Sequence, residues 1–427
     1  MDIHVVRAGE TVSSVAARYG VPAGILAGVN GVAPDAPLAV GQTLVVRHPR
    51  ELHTVASGES VYSIALRYGL SVRTLYQNNP ALGGRSALYP GQTLVIAYDD
   101  TPTRTLAVNA YSYPFIRGGL LDAALPYLTY LTPFTYGINA DGTLLPLADE
   151  WLLAAAGQYR TAALMHLSTL TEEGRFDNAR STLILEDADA QDALVQSILE
   201  TVQARHYFGL DVDFEYVLPE QREAYAAFIT RLREALNPLG CPVIVALAPK
   251  TSAVQRGLLY EAHDYALLGA AANAVFLMTY EWGYTYGPPM AVAPLGQVRA
   301  VLDYALTAVA PEKIFMGIPL YGYDWPLPFV SGKTRAESLS PVQAVERALR
   351  HDIAIQYDAA AQAPYYHYTD HGGREHAVWF EDARSIEVKL RLADEYHLQG
   401  VGYWNLTRPF PQNWAVLASL FDIETLL

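Results

Sequence analysis

Apolar and acidic side chains alternate along residues 209–215, Gly-Leu-Asp-Val-Asp-Phe-Glu. This period of two predicts a β-strand that carries its apolar side chains on one face and Asp211, Asp213 and Glu215 on the other. If that acidic face is crowded inside a barrel, repulsion raises the pKa of at least one carboxyl, which can then act as a general acid near neutral pH. An edge strand with a solvated acidic face fits the same pattern, so the alternation alone leaves both interpretations open.

From residue 105 onward, short apolar segments alternate with segments of helical length, which is typical of a parallel sheet wrapped by helices. The predicted strands lie at residues 106–111, 130–136, 161–167, 207–213, 243–248, 274–280, 313–321 and 400–404. Eight such strands predict an α/β fold, a (β/α)₈ TIM barrel, whose functional side chains lie at the carboxyl ends of the strands. Glu215 lies just past the fourth strand, in that position.

A second pattern interrupts the barrel after its seventh strand. Residues 354–357, 365–368 and 378–380 resemble short strands separated by turns, and they predict a small α+β insertion over about residues 324–384. His367, His371 and His376 cluster there, but their spacing fits no metal site, so we interpret them as polar loop residues. We expect no metal and no cofactor.

The N-terminal hundred residues contain an internal repeat. Residues 4–12 recur at residues 53–61, Ala17-Arg18-Tyr19-Gly20 recurs as Leu66-Arg67-Tyr68-Gly69, and Asn30 falls on Asn79, all at an offset of 49. One added residue then places residues 41–45 on residues 91–95. Each copy predicts the order strand, helix, helix, strand.

The two copies resemble LysM modules, over residues 2–46 (module 1) and 53–98 (module 2). The resemblance implies binding of glycans that contain N-acetylglucosamine, such as peptidoglycan or chitin, in a groove between the loops that flank the first helix and the last strand. The matching stretches are residues 9–12 with 29–31, and 58–61 with 78–80. Turn chemistry explains the Gly, Asn and Pro positions in these stretches equally well.

Composition and charge narrow the class of partner. Half of the 427 residues are hydrophobic (51%) and 17% are charged, as in a folded chain with a large core. The formal net charge is -15, and the first hundred residues carry seven Arg, no Lys and seven acids, so we expect no nucleic-acid partner. The single cysteine, Cys241, precedes an apolar run and is interpreted as a core residue.

The N-terminal residues and the boundary between the modules and the barrel give expectations about export and domain organisation. The N-terminus lacks the basic start and long apolar run of a signal peptide, and no apolar stretch is long enough for a membrane span, so we expect neither a leader nor a membrane partner. Residues 99–104, Asp-Asp-Thr-Pro-Thr-Arg, predict a linker to a catalytic domain at residues 105–427. The oligomeric state and the packing of the modules on the barrel are left open.

Many aromatic side chains lie at the predicted strand ends, which favours a carbohydrate cleft because flat rings stack on the C–H faces of sugars. Strand alternation places Met278, Tyr280 and Trp282 on one face at the end of strand six. The full set of candidate binding residues is Asn109, Tyr111, Tyr136, Met278, Tyr280, Glu281, Trp282, Tyr321 and Trp404.

The barrel resembles glycoside hydrolase family 18 over roughly residues 105–427. The family signature D-G-x-D-x-D-x-E maps onto residues 208–215, with Phe208 in place of the first acid, and M-x-Y-D maps onto residues 278–281, with Glu281 in place of the aspartate. Residues 317–322, Gly-Ile-Pro-Leu-Tyr-Gly, fit the seventh strand of the family, and Trp404 fits the eighth. The loss of the outer acid puts the pH dependence in question more than the activity.

This resemblance implies a substrate-assisted, retaining hydrolysis, an exception to the two-carboxylate scheme. The 2-acetamido oxygen of the sugar attacks the anomeric carbon, and Glu215 acts first as general acid and then as general base. Asp213 holds the acetamido N–H and shares a proton with Asp211, and Tyr280 hydrogen-bonds the acetamide oxygen.

Two LysM modules ahead of such a barrel resemble the spore cortex-lytic and coat-associated peptidoglycan N-acetylglucosaminidases of endospore-forming bacteria. The expected partners are therefore peptidoglycan or chitin-like polymers, and the expected location is the spore coat and cortex or the cell wall. A chitinase with LysM targeting modules is one alternative. A non-catalytic glycan-binding coat protein is another, although the acid at position 215 speaks against it.

Overall fold

The computed structural model of the protein describes residues 1–171 and 173–427, and its first hundred residues form two small βααβ modules. Module 1 contains β1 (Asp2–Val5), α1 (Val12–Tyr19), α2 (Ala23–Asn30) and β2 (Thr43–Val46). Module 2 contains β3 (Pro49–Thr54), α3 (Val61–Arg67), α4 (Val72–Asn78) and β4 (Thr93–Tyr98). The first helix of each module begins at a capping box, formed by Thr11 with Ser14 and by Ser60 with Ser63, which satisfies backbone N–H groups that have no partner within the helix.

The remainder is a (β/α)₈ barrel, as the sequence predicts. Its strands are β5 (Arg104–Ser112), β6 (Tyr130–Pro133), β9 (Ala162–Ser168), β10 (Gly209–Asp213), β11 (Val243–Leu247), β12 (Ala274–Leu277), β13 (Ile314–Pro319) and β19 (Gly400–Trp404). Neighbouring strands in this series are hydrogen-bonded, and β19 pairs in parallel with β5, so the sheet is closed. Because β10 lies between β9 and β11, the interpretation of residues 209–215 as an edge strand is wrong.

Helices and short strands complete the barrel. The helices are α5 (Gly118–Ala124), α6 (Glu150–Gln158), α7 (Asn178–Glu186), α8 (Ala188–Arg205), α9 (Arg222–Leu236), α10 (Tyr265–Ala271), α11 (Leu295–Ala305), α13 (Ala383–Glu395) and α14 (Pro411–Leu420). A hairpin of β7 (Gly137–Ile138) and β8 (Leu144–Leu145) follows β6, and β20 (Phe421–Ile423) pairs with the start of β5. Among the described residues no single helix is long and apolar enough to cross a membrane, whereas α1 and α2 pass that test only as a pair bent by 113°.

The barrel interior is filled by large rings that only glycine can accommodate as neighbours. A Cβ on Gly402 of β19 would lie 2.4 Å from the ring of Phe276, and a Cβ on Gly400 would lie 2.5 Å from the ring of Phe315. Both rings are buried. The Gly-x-Gly sequence of the last strand is therefore a packing requirement, because core atoms cannot approach this closely.

The insertion after β13 is a five-stranded antiparallel sheet with one helix. It consists of β14 (Gly322–Pro326), β15 (Glu337–Leu339), α12 (Pro341–Arg350), β16 (Gln356–Asp358), β17 (Ala363–Thr369) and β18 (Glu375–Trp379). Three of these strands overlap the predicted segments, whereas β14, β15 and α12 had no counterpart among them. Nδ1 of His376 donates a 2.7 Å hydrogen bond to the carboxylate of the buried Asp324, and the described residues contain no cluster that could hold a metal ion.

Both modules pack on the barrel, and the segment that links them to it is tied down. Asp100 forms ion pairs with the N-terminal amino group at 3.2 Å and with Arg47 at 2.7 Å. In module 2, Arg73 and Gln77 donate hydrogen bonds of 2.8 and 2.7 Å to the carbonyl oxygen of Pro126, ahead of β6. The modules therefore have fixed positions against the catalytic domain.

Candidate active site

Two acids of β10 and a third just past its end meet at the carboxyl-terminal mouth of the barrel. Asp213 and Glu215 line a cavity of about 830 Å³ together with Tyr280, Met278 and Trp404. Asp211 lies one pleat deeper, where it is fully buried and accepts a 2.7 Å hydrogen bond from the hydroxyl of Tyr111. Strand alternation directs Asp211 and Asp213 inward, and Glu215 reaches the cavity from the segment just past the strand.

Burial dominates the electrostatics of these carboxyls. Burial, and after it the charge of the neighbouring Glu281 carboxylate, raises the pKa of Glu215 to about 7. Burial also raises the pKa of Asp211 to about 7, against the hydrogen bond from Tyr111, and the pKa of Asp213 is raised by burial and by the charges of Glu215 and Asp211. The site therefore retains protons at neutral pH, as a general acid requires.

The residues of the Met278–Glu281 segment lie around the same cavity. Strand β12 ends at Leu277, earlier than the predicted residue 280, and the chain continues into the mouth, so that Met278, Tyr280, Glu281 and Trp282 all line the cavity. Glu281 accepts hydrogen bonds from the hydroxyls of Tyr321 and Tyr323, the second at 3.0 Å, and these bonds oppose the rise that burial causes in its pKa. Tyr321 therefore acts on the cavity through Glu281.

Aromatic rings form one wall of the cavity around Trp404. Its ring lies 5.5 Å from Tyr111, 5.8 Å from Tyr113 and 4.8 Å from Phe134, in edge-to-face arrangements. All four side chains line the cavity. Such a surface suits the alternating polar edges and C–H faces of a pyranose chain.

Three of the predicted binding residues do not line the cavity: Tyr321, which bonds Glu281, and Tyr136 and Asn109, which lie elsewhere. The hydroxyl of Tyr136 donates a 2.8 Å hydrogen bond to the buried Asp149, and Asn109 is buried and accepts a 2.8 Å hydrogen bond from Thr132. Neither lines the cavity. Strand β6 ends at Pro133, so the alternation that would direct Tyr136 inward no longer applies three residues later.

Two buried histidines that the sequence analysis did not single out support the acids. Nε2 of His166 lies 3.9 Å from Asp213, and burial lowers the pKa of this imidazole to about 3. Nδ1 of His263 accepts the Ala248 N–H at 2.8 Å, so its Nε2–H donates to the carbonyl oxygen of Phe214 at 3.1 Å and holds the backbone beside Glu215. Side-chain alternation along its strand could have identified His166 as an inward-facing residue. The contact of His263 depends on the tertiary fold and could not have been read from the sequence.

In the modules, Asn30 and Asn79 brace the fold. The side chain of Asn30 bonds the backbone of Leu26 and Val45, and that of Asn79 bonds the backbone of Leu75 and Val95, with all distances between 2.7 and 2.9 Å. Their side chains are thereby occupied in holding the second helix to the last strand. This supports a structural reading for these two positions of the predicted grooves.

A closed (β/α)₈ barrel with closely spaced acids of raised pKa and an aromatic wall at its mouth is the arrangement of a glycoside hydrolase. The profile of the glycosyl hydrolases family 18 matches residues 171–408, and the profile of the LysM domain matches residues 4–47 and 53–97. The chain belongs to glycoside hydrolase family 18, with two LysM domains ahead of the barrel.

Several proteins are similar to this chain, and the first two named here match it over its whole length. The cortical fragment-lytic enzyme of Bacillus subtilis (strain 168) is 40% identical, with 99% of each chain covered. The crystal structure of the Bacillus cereus spore cortex-lytic enzyme SleL aligns with a TM-score of 0.84 and 38% identity, covering 99% of this chain and 98% of that one. A chitinase from Chromobacterium violaceum aligns over 74% of this chain and 98% of its own, with 25% identity and a TM-score of 0.68.

Proposed function

We propose that the protein hydrolyses β-1,4 glycosidic bonds after N-acetylglucosamine in spore cortex peptidoglycan, by a retaining, substrate-assisted mechanism. The observation that carries the proposal is the placement of Glu215, Asp213 and Tyr280 around one cavity, with the pKa of Glu215 raised to about 7. The choice of cortex peptidoglycan is supported by the similarity, over the full length, to a cortical fragment-lytic enzyme.

In this mechanism Glu215 enters protonated and gives its proton to the glycosidic oxygen, because its carboxyl is held neutral by its buried position. The acetamido oxygen of the sugar attacks the anomeric carbon, and the ring that forms carries the positive charge. Glu215, now a carboxylate, takes a proton from the water that opens this ring. The product keeps the anomeric configuration of the substrate.

Asp213 and Asp211 would serve the acetamido group together. Asp213 faces the cavity and Asp211 lies behind it, and the charge of Asp211 disfavours ionisation of Asp213, so the pair would hold one proton between them. The single negative charge stabilises the cation that develops on the acetamido group. Tyr280, whose pKa lies well above its usual value because of burial, remains a hydroxyl donor to the acetamide oxygen.

The location follows from the same comparison. Similarity to spore cortex-lytic enzymes and the presence of two LysM domains support association with the spore or the cell wall, with peptidoglycan or chitin-like N-acetylglucosamine polymers as partners. A chitinase is the second candidate, supported by the alignment with the Chromobacterium violaceum chitinase.

Product analysis distinguishes these functions. The protein is incubated with spore cortex fragments, intact vegetative wall and colloidal chitin, and the products are identified by mass. We expect new N-acetylglucosamine reducing ends from cortex fragments first, and preferential release from chitin would favour the chitinase. A glucoside with a free 2-hydroxyl is the control, because hydrolysis of that compound at a comparable rate contradicts the substrate-assisted mechanism.

A further inference from the structure

The two modules can be compared position by position at the loop before their last strand. In each module this loop is bonded to the end of the first strand in the same way, by Val6 with Gly41 and Gln42 at 2.8 and 2.9 Å, and by Val55 with Gly91 and Gln92 at 2.8 Å for both bonds. The repeat therefore aligns Ala39 with Tyr89, Gly41 with Gly91 and Thr43 with Thr93. Any difference in their surroundings comes from the rest of the protein.

In module 1 this loop is buried against the catalytic domain. Ala39 is 3% exposed and packs in the hydrophobic cluster of the insertion, and the carbonyl oxygen of Val40 accepts a 2.8 Å hydrogen bond from the Ile355 N–H. A Cβ on Gly41 would lie 2.0 Å from the Ile355 carbonyl oxygen. We call this contact of residues 39–43 with the barrel the joint.

Other residues of module 1 are in equally close contact with α14 and the residue at its start. The side chain of Gln412, in α14, donates hydrogen bonds to the carbonyl oxygen of Thr43 at 2.5 Å and to Oδ1 of Asn30 at 3.0 Å. Gly31 faces Pro411, where a Cβ would lie 2.5 Å from the proline ring. Residues 41–43 of the loop are thus covered by the catalytic domain, and the space that remains beside them is a cavity of about 290 Å³ lined by residues of both.

The same loop of module 2 is open. Tyr89 is 71% exposed, Gly91 has no atom within 4 Å of the position of a Cβ, and Thr93 is exposed. Tyr62, in the first turn of the helix that follows the other loop of the groove, is 68% exposed, and its counterpart in module 1 is Ser13. Module 2 therefore offers two aromatic rings at positions where module 1 has an alanine and a serine.

We infer that the modules have divided their roles: module 2 carries the contact with the insoluble glycan through Tyr89 and Tyr62, and module 1 is a fixed spacer that holds the glycan-bound module against the catalytic domain. The inference rests on the proposed binding of N-acetylglucosamine polymers by the LysM pair. Exposed tyrosine rings can stack on the C–H faces of such sugars, and a buried loop cannot reach a polymer that forms part of a solid wall.

Sedimentation binding tests the division of roles. The full chain carrying Glu215→Gln, so that the glycan is not consumed, is titrated with colloidal chitin and with insoluble peptidoglycan sacculi. We expect Tyr89→Ala and Tyr62→Ala each to weaken binding by roughly tenfold, since loss of one stacked ring is worth on the order of a decade in affinity. The matched controls in module 1 are Val40→Ala, at 41% exposure, and Ser13→Ala, and both should bind within about twofold of the parent.

The outcomes separate this inference from the proposed hydrolysis. Equal losses in the two modules, a loss confined to module 1, or no binding by the parent chain would each overturn the division of roles. Hydrolysis of soluble cortex fragments by the parent chain, with Glu215 intact, is measured in parallel. If soluble fragments are not cleaved at all, the proposed hydrolysis fails, whatever the binding results.

Discussion

Buried carboxyls line two cavities of the protein, and their neighbours differ. At the barrel mouth the neighbours are other carboxyls, and at the joint they are cations. The mouth of the barrel, at about 830 Å³, holds Asp213 and Glu215 beside a third carboxylate, Glu281. The cavity at the joint, at about 290 Å³, is lined by Glu381 and Asp382, and each of these has a cation. Lys389 lies 2.8 Å from Glu381, and Arg384 lies 2.6 Å from Asp382.

This difference in the neighbours of the carboxyls indicates a different role for each region. Carboxyls that repel each other in a buried site destabilise the fold, but they keep protons available for chemistry. Carboxyls paired with Lys or Arg lose that chemistry and fix the position of the groups around them. The first arrangement predicts variants that lose activity without losing stability, and the second predicts the reverse.

The largest effect is expected for Glu215→Gln. Loss of the general acid should lower kcat roughly 10³-fold to 10⁴-fold on soluble cortex fragments, measured by release of reducing ends. The folded state holds the pKa of Glu215 above its unfolded value, so its contribution to stability is complete at low pH and is lost as the pH rises through about 7. The variant should therefore be at least as stable as the parent at pH 8 by thermal unfolding.

Glu220→Gln is the matched control for this variant. Glu220 is an exposed glutamate five residues further along the same loop, and its replacement should change neither activity nor stability. Activity near that of the parent in Glu215→Gln would contradict the role proposed for the acid.

The sequence predicted the acids of the mouth more completely than their surroundings. The inward direction of Asp211 and Asp213 follows from strand alternation, the place of Glu215 follows from the rule that barrel sites lie just past the strand ends, and strand β19 has the predicted bounds of residues 400–404. Alternation fails where strands end early, which is why Tyr136 was assigned to the cleft although its hydroxyl bonds Asp149. Periodicity describes only the residues that remain in the sheet.

The joint could not be predicted from the sequence. Its contacts connect module 1 with residues more than three hundred positions away, such as Thr43 with Gln412, and no local pattern encodes a pairing at that distance. The divergence of Ala39 from Tyr89 between the two repeats was visible, but its meaning depends on knowing which loop the barrel covers. The linker sequence did not indicate it, because Asp100 is bound by Arg47 and the N-terminus only in the folded protein.

The second largest effect should follow removal of the cation at the joint cavity. Lys389→Met leaves Glu381 buried without its partner, and the free energy of unfolding should fall by about 3 to 4 kcal/mol, measured by urea denaturation. Hydrolysis of soluble fragments below the unfolding range should stay near the parent level. The double variant Glu381→Gln with Lys389→Met should recover much of the loss, and a loss as large as in the single variant would contradict the ion-pair explanation.

A smaller effect distinguishes the joint from its open counterpart. Gly41 and Gly91 have φ of +83° and +88°, so an alanine is strained at both, but only Gly41 faces a backbone carbonyl oxygen, at 2.0 Å. We expect Gly41→Ala to cost about 2 kcal/mol more of unfolding free energy than Gly91→Ala, because a close backbone contact must move. Equal losses would mean that the joint does not stabilise the protein.

The smallest expected effect concerns the third carboxylate of the mouth. Above pH 7, kcat/KM should fall about tenfold per pH unit as Glu215 loses the proton that it must donate. The charge of Glu281 raises the pKa of Glu215, so Glu281→Gln should move this alkaline limb to lower pH, whereas Glu220→Gln should leave it in place. An unmoved limb in Glu281→Gln would mean that burial alone keeps the acid protonated. The mouth would then differ from the joint cavity because its carboxyls have no cations beside them, and repulsion between its carboxylates would not contribute.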